Sequence, residues 1–152
     1  MKLRIGIAGL RRGRTWINIF SQDNRSDVVA LCDIDQSLLE EFSVDEKFTD
    51  FGDLLAMNLD AIVVCTPPAC HAEQTVLALG SGKHVLCEVP VATTIGECQQ
   101  IVEAVNKSGK IICWPKTVVI AICISLGSQQ LQTMIWEKSS MLRLNTFTTA
   151  AN

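Results

Sequence analysis

Four short apolar runs dominate the first 110 residues: LRIGIAG (3–9), DVVALCD (27–33), DAIVVCTPP (60–68) and HVLCEVP (84–90). Each is too short for a buried helix, and each is stopped by glycine, aspartate or proline, so each reads as a strand buried on both faces. Lys47 to Thr49 reads as a further short strand. The intervening segments suit helices. One is expected over about Arg14 to Ser21 and a short one over Gln36 to Phe42. A small helix is capped by Asp50, with Asp53 three residues on and Leu54 and Leu55 as its anchors. Cys70 to Leu79 places Ala72, Val76 and Leu79 on one face and is stopped by the glycines at 80 and 82. Thr94 and Glu97 have the spacing of a capping box, and Cys98, Ile101, Val102 and Val105 follow as an apolar stripe ending near Gly109. Parallel strands need crossover connections, so the pattern predicts an α/β doubly wound parallel sheet with helices on both faces. A short sixth strand fits at Lys110 to Cys113.

Composition narrows the function classes. The 152 residues are 48% apolar with a net charge of -3, which gives one buried core and no broad basic face for nucleic acid. Met1 to Leu10 lacks the charge, apolar length and cleavage site of a signal peptide, and Val118 to Leu126 is too short to span a membrane. A cytoplasmic protein is the expectation. The seven cysteines are odd in number and form no C-x-x-C pair, so they support neither a disulfide framework nor a zinc site. Cys32, Cys65, Cys87 and Cys113 each end an apolar run and read as small buried hydrophobes.

The first turn, GIAGLRRGRTW (6–16), keeps Gly9 and Gly13 but has Arg11 where G-x-G-x-x-G has its second glycine. Glycines there either make a tight turn or let the backbone approach a pyrophosphate at the helix N-terminus. Arg11, Arg12 and Arg14 are either phosphate contacts or a solvated face. Asp33 ends the second strand about 20 residues beyond the turn, where a carboxylate accepts hydrogen bonds from a ribose; its other reading is a helix cap. A carboxylate at that place repels a 2'-phosphate and favours NAD over NADP.

Several motifs resemble the Gfo/Idh/MocA oxidoreductases, whose Rossmann domain binds a nicotinamide dinucleotide and whose members act mostly on sugars and cyclitols. The resemblance covers roughly residues 2 to 110 and implies the strand order 3-2-1-4-5. RIGIAGL is similar to the family's first strand and turn, VVALCDID to its second strand with the ribose-binding acid, and DAIVVCTPPACHAEQTVLAL to its strand, proline turn and helix. GKHVLCEVPVATT resembles its most diagnostic stretch. The resemblance implies that Thr66, Pro67 and His71 lie around the nicotinamide half, and that Glu88 and Pro90 shape the cofactor pocket. The family's E-K-P reads here as Glu88, Val89, Pro90, so its substrate-polarising lysine is absent and no catalytic residue is assigned. His84 reads as structural. His71 and His84 are the only histidines, and no metal cluster or nucleophilic triad is in view.

From Ile111 onward the pattern is lost. One acidic residue, Glu137, stands against fifteen in the first 110 positions, and nine serines and threonines fall among apolar residues without a period of 2 or 3.6. Codons built from the third base of one residue and the first two of the next restore sense. Cys113 into Trp114 must give Leu and Trp114 into Pro115 must give Ala; Lys116 into Thr117 gives Asn or Asp. Met134 into Ile135 must give Asp, and Trp136 into Glu137 must give Gly. These outcomes match the L-A-E-N and D-L-G stretches of the resembling branch. Permitted bases over Ser140 to Thr149 then spell Y-A-E-A-E-Y-I-H-D.

The expected organisation is a dinucleotide-binding domain over residues 1–112 and an out-of-frame, poorly ordered tail over 113–152, with a divergent but genuine C-terminal segment as the alternative for the tail. The second, substrate domain of the family is then missing, and with it the oligomer interface. The expected function is NAD binding, with hydride transfer on a carbohydrate-like molecule confined to the intact ancestor. A stand-alone NAD-binding sensor or interaction module is the alternative.

Overall fold

The computed structural model describes residues 2–114; the expected tail lies outside the described residues, Cys113 and Trp114 excepted. Six parallel strands are present among the described residues: β1 (Leu3–Ala8), β2 (Ser26–Cys32), β3 (Glu46–Phe48), β4 (Ala61–Val64), β5 (His84–Cys87) and β6 (Ile112–Cys113). Their order is β3-β2-β1-β4-β5-β6, the expected arrangement with the sixth strand added at the edge. Five helices make the connections up to β5 and from β5 to β6: α1 (Leu10–Gln22), α2 (Gln36–Glu40), α3 (Phe51–Ala56), α4 (Pro68–Gly80) and α5 (Ile95–Ser108). None of the helices among the described residues is long and apolar enough to cross a membrane.

Strand β1 occupies the centre, paired in parallel with β2 on one side and β4 on the other. Its Ile7, with Leu31, Ile62, Val63 and Val64 of the flanking strands and Leu54 and Leu79 of the covering helices, is almost completely buried. Burial of each such side chain stabilises the fold by about 1.5–3 kcal/mol relative to exposure. The caps follow the local chemistry. The Asp50 carboxylate accepts N–H bonds from Gly52 and Asp53, and Thr94 and Glu97 form both halves of the capping box. Gly109, at φ 64°, ends α5 in the left-handed conformation that glycine adopts without a Cβ penalty.

Three features differ from the sequence expectation. Helix α1 begins at Leu10, four residues before Arg14, because its first N–H is capped by a carboxylate from another strand rather than by a neighbour. Val102 is exposed, and α5 turns Ile101, Ala104 and Val105 inward instead of the whole expected stripe. Cys32, Cys65 and Cys87 are buried, whereas Cys113, on the edge strand, is only half-buried.

Candidate functional site

The strand order reverses between β1 and β4, because α1 leads from β1 outward to β2 while the later strands add on the opposite side. In open α/β sheets the crevice at the carboxyl ends of those two strands is where ligands bind. Gly9 sits in it. Its N–H donates to the Cys32 carbonyl at 2.9 Å, and the next strand end is tied to the same place by Cys65 N–H donating to Ala8 O at 2.7 Å. Gly9 has φ 87°, and a Cβ there would stand 2.4 Å from the Cys65 carbonyl carbon and 2.5 Å from the Thr66 nitrogen. Only glycine fits, and the tight passage leaves the start of α1 open at the crevice. Gly13 serves the packing instead, since a Cβ there would meet Ile7 Cγ2 at 2.8 Å and hold α1 away from β1.

Gly9 offers α1 no side-chain cap. The cap comes from Asp33, whose Oδ2 accepts the Leu10 N–H at 2.6 Å while Oδ1 accepts the Asp35 N–H at 3.0 Å. Two main-chain donors fix this carboxylate beside the glycine turn, and each oxygen keeps a second lone pair for an outside donor. The two sequence readings of Asp33, helix cap and ribose acceptor, are therefore compatible in one geometry. The N–H groups of Arg11 and Arg12 belong to the unpaired first turn of α1 and are available to an anion.

The three arginines stand at the positive end of the helix dipole, where a cation costs tenths of a kcal/mol to about 1 kcal/mol. Each is offset by an acid: Asp35 and Glu41 cap the two ends of α2, and Glu88 follows β5. Arg11 lies 3.7 Å from Asp35 with its side chain 84% exposed, Arg14 lies 2.7 Å from Glu41, and Arg12 Nε lies 3.5 Å from Glu88 Oε1. Arg11, in the place of a glycine, thus extends outward toward Asp35. The Asp35 carboxyl is held below its usual range by its hydrogen bond from Ser37 and, to a lesser degree, by the Arg11 charge.

The opposite end of the crevice is built from the β4–α4 turn and the segment after β5. Thr66 Oγ1 donates to Gln74 Oε1 at 2.6 Å, and Pro67 and Pro68 open α4 without a side-chain cap. The Val89–Pro90 peptide is cis, and both residues are exposed. Glu88 is buried; its Oε1 accepts the Trp16 indole N–H at 3.0 Å, and its Oε2 stands 3.4 Å from the Val89 N–H. His71 is 1% exposed, with Nδ1 2.8 Å from the Pro90 carbonyl and Nε2 2.6 Å from the Thr66 carbonyl.

All ten sequence-predicted residues therefore lie along one edge of the sheet. Gly9, Arg11 and Asp33 form one end, and Thr66, Pro67, His71, Glu88 and Pro90 the other; Arg12 reaches Glu88, and Gly13 packs α1 on β1. His71 reaches that end through main-chain carbonyls rather than by presenting a ring to the open crevice. Trp16 and Gln74 join the site without a motif to announce them. Trp16 follows Arg12 by four residues, which puts both on one face of α1, and both reach Glu88. The buried thiols are poorly suited to reactivity: burial pushes Cys32 up to about 12 and Cys87 up to about 11, and it raises Cys65 as well. Among the described residues no cluster of His, Cys, Asp and Glu could hold a metal ion.

The crevice suits an elongated ligand with an anionic centre and a hydroxylated end: unpaired N–H groups at the glycine turn meet the one, and the Asp33 carboxylate accepts from the other. Relatives agree with that chemistry. The chain is 34% identical over 90 residues to inositol 2-dehydrogenase of Salmonella paratyphi B, a match covering 55% of this chain and 27% of the relative. It is 31% identical over 119 residues to D-glucoside 3-dehydrogenase of Escherichia coli, covering 74% of this chain and 34% of the relative. The match thus spans about a third or less of each relative's length. Among solved structures, the WlbA dehydrogenase of Bordetella pertussis in complex with NADH and UDP-GlcNAcA matches with a TM-score of 0.71 at 29% identity, over 76% of this chain and 37% of that one. Scyllo-inositol dehydrogenase of Lactobacillus casei with bound NAD(H) and scyllo-inositol matches with a TM-score of 0.70 at 26% identity, over 75% of this chain and 36% of that one. The family model described as "Oxidoreductase family, NAD-binding Rossmann fold" matches residues 3–116, and the chain belongs to this Gfo/Idh/MocA family of oxidoreductases.

Proposed function

We propose that the chain binds NAD, with the adenosine ribose at Asp33, the pyrophosphate over Gly9 and the first turn of α1, and the nicotinamide between the β4–α4 turn and the Glu88–Pro90 segment. The observation that carries this reading is the fixed Asp33 carboxylate beside a glycine that admits no side chain. Bound NAD supplies a hydride acceptor. The chain's own part is to orient it: Asp33 accepts from the ribose hydroxyls, the N–H groups of Arg11 and Arg12 meet the phosphates, and the buried Glu88 corner shapes the far end. The same carboxylate disfavours the 2'-phosphate of NADP.

In the intact ancestor the reaction is oxidation or reduction of a sugar or cyclitol, in keeping with the relatives' names. Turnover by this chain is not expected. Val89 occupies the position of the family's lysine, and residues beyond about 111 read as a translation displaced by one lost base. A cytoplasmic location is part of the same reading.

A thermal shift of the full chain tests the binding. NAD at about 100 times its Kd should raise the stability by about 2.7 kcal/mol, and NADP should do less at equal concentration. An unmoved melting temperature would remove the reading. The coding DNA tests the displaced frame separately: codons 111 to 152, read one base out, either spell the family segment or refute the shift.

A further inference from the structure

We infer that His71 is a positioning residue for the nicotinamide half of this site, a brace that sets the gap between the β4–α4 turn and the Glu88–Pro90 segment; the inference rests on the NAD-binding reading above. The ring is 1% exposed, so its role is exerted through what it holds. Its two nitrogens lie within hydrogen-bond distance of main-chain carbonyls from segments 24 residues apart in sequence, Thr66 on one wall and Pro90 on the other. The Glu88 N–H bond to Val64 O, at 2.9 Å, ties the two strand ends, and beyond it the chains diverge into their loops. His71, on the first turn of α4, carries the connection onward at the level where a ligand would enter. Both partners are acceptors with no proton to give. The ring therefore serves both when each nitrogen carries a proton and only one when a single nitrogen does.

A general structural role and a positioning role predict different ligand profiles. ADP-ribose occupies the adenosine and pyrophosphate positions and lacks the nicotinamide, so it reports the half of the site that His71 does not touch. Calorimetric titration of the full chain should give tighter binding of NAD than of ADP-ribose. His71→Leu should raise the Kd for NAD about tenfold or more and leave that for ADP-ribose within about twofold, the size expected for losing buried hydrogen bonds at one end only. His71→Asn, which keeps one amide donor, should fall between. Equal weakening of both ligands, or an unchanged NAD affinity in a folded variant, overturns the inference. Should the leucine variant fail to fold, the asparagine variant and hydrogen exchange of the wild-type chain decide. NAD, and not ADP-ribose, should slow exchange over residues 66–72 and 88–92 as one unit, and protection of a single segment contradicts the brace. A wild-type chain that binds neither ligand defeats the NAD reading itself, whereas one that binds both with equal strength leaves NAD binding standing and defeats only the brace.

Discussion

The two ends of the crevice, proposed above to hold the adenosine and the nicotinamide halves, are built by different means. At the adenosine end Asp33 is held by two main-chain N–H groups, and the charges around it, Arg11 with Asp35 and Arg14 with Glu41, are largely exposed. At the nicotinamide end the parts are held by buried side chains: Trp16 on Glu88, and His71 between Thr66 and Pro90. Main-chain donors come with the fold, so the first end tolerates surface changes. Buried side-chain bonds vanish with a single substitution and leave an unsatisfied partner behind, so the second end is the more fragile.

Gly9→Ala is the largest break, because it destroys the point on which both ends depend. The methyl would overlap the Cys65 main chain and force a left-handed conformation on alanine, at a combined cost on the order of 3 kcal/mol or more. Urea unfolding should show a lower midpoint or no cooperative transition. Asp33→Ala attacks the adenosine end alone. Loss of a charged acceptor should weaken NAD and ADP-ribose alike by about 10- to 100-fold, with a stability loss of about 1 kcal/mol from the missing cap. Calorimetry reads both; a loss confined to NAD would contradict the assignment of this end.

Trp16→Phe probes the other end, since it keeps an aromatic ring and removes the donor to Glu88. A stability loss of about 1–3 kcal/mol is expected, together with a weaker affinity for NAD and an unchanged one for ADP-ribose. The smallest effect lies away from the crevice. Burial, and next the Lys110 charge, lower His84 below its ordinary 6.5, and its Nδ1 accepts the Ile111 N–H at 3.1 Å, a bond that only the neutral ring makes. The folded state therefore disfavours the proton. The stabilisation is complete above pH 6.5 and is lost as the pH falls through the lowered folded value. Hydrogen exchange at Ile111 should quicken in that range while the β1 amides stay protected, and a His84→Phe variant should lose the pH dependence.

The legibility of the molecule follows the same division. The Asp50 cap and the Thr94–Glu97 box rest on residues within a few positions of one another, and the motifs contain them. Asp33 is legible as an acid at a strand end, but its bond to Leu10 crosses 23 positions, and for that reason local spacing alone starts α1 four residues late. Trp16 and Glu88 are 72 residues apart, and nothing in the local spacing of either names the other. The resemblance of the motif around His71 implies a place beside the proposed nicotinamide position, yet its two carbonyl partners depend on how two loops meet. Val102 belongs to the apolar stripe and is nonetheless exposed, because a stripe marks one helix face whereas the covering partner decides how much of that face is buried.

If residues 2–114 carry a working NAD site whose two ends act separately, calorimetric titration of the full chain with NAD, ADP-ribose and nicotinamide mononucleotide shows it most directly. Saturable binding of NAD and ADP-ribose is expected at one site each, with NAD the tighter, and only weak binding of the mononucleotide. No binding of NAD or ADP-ribose, or binding of the mononucleotide as strong as that of NAD, would contradict a two-ended site.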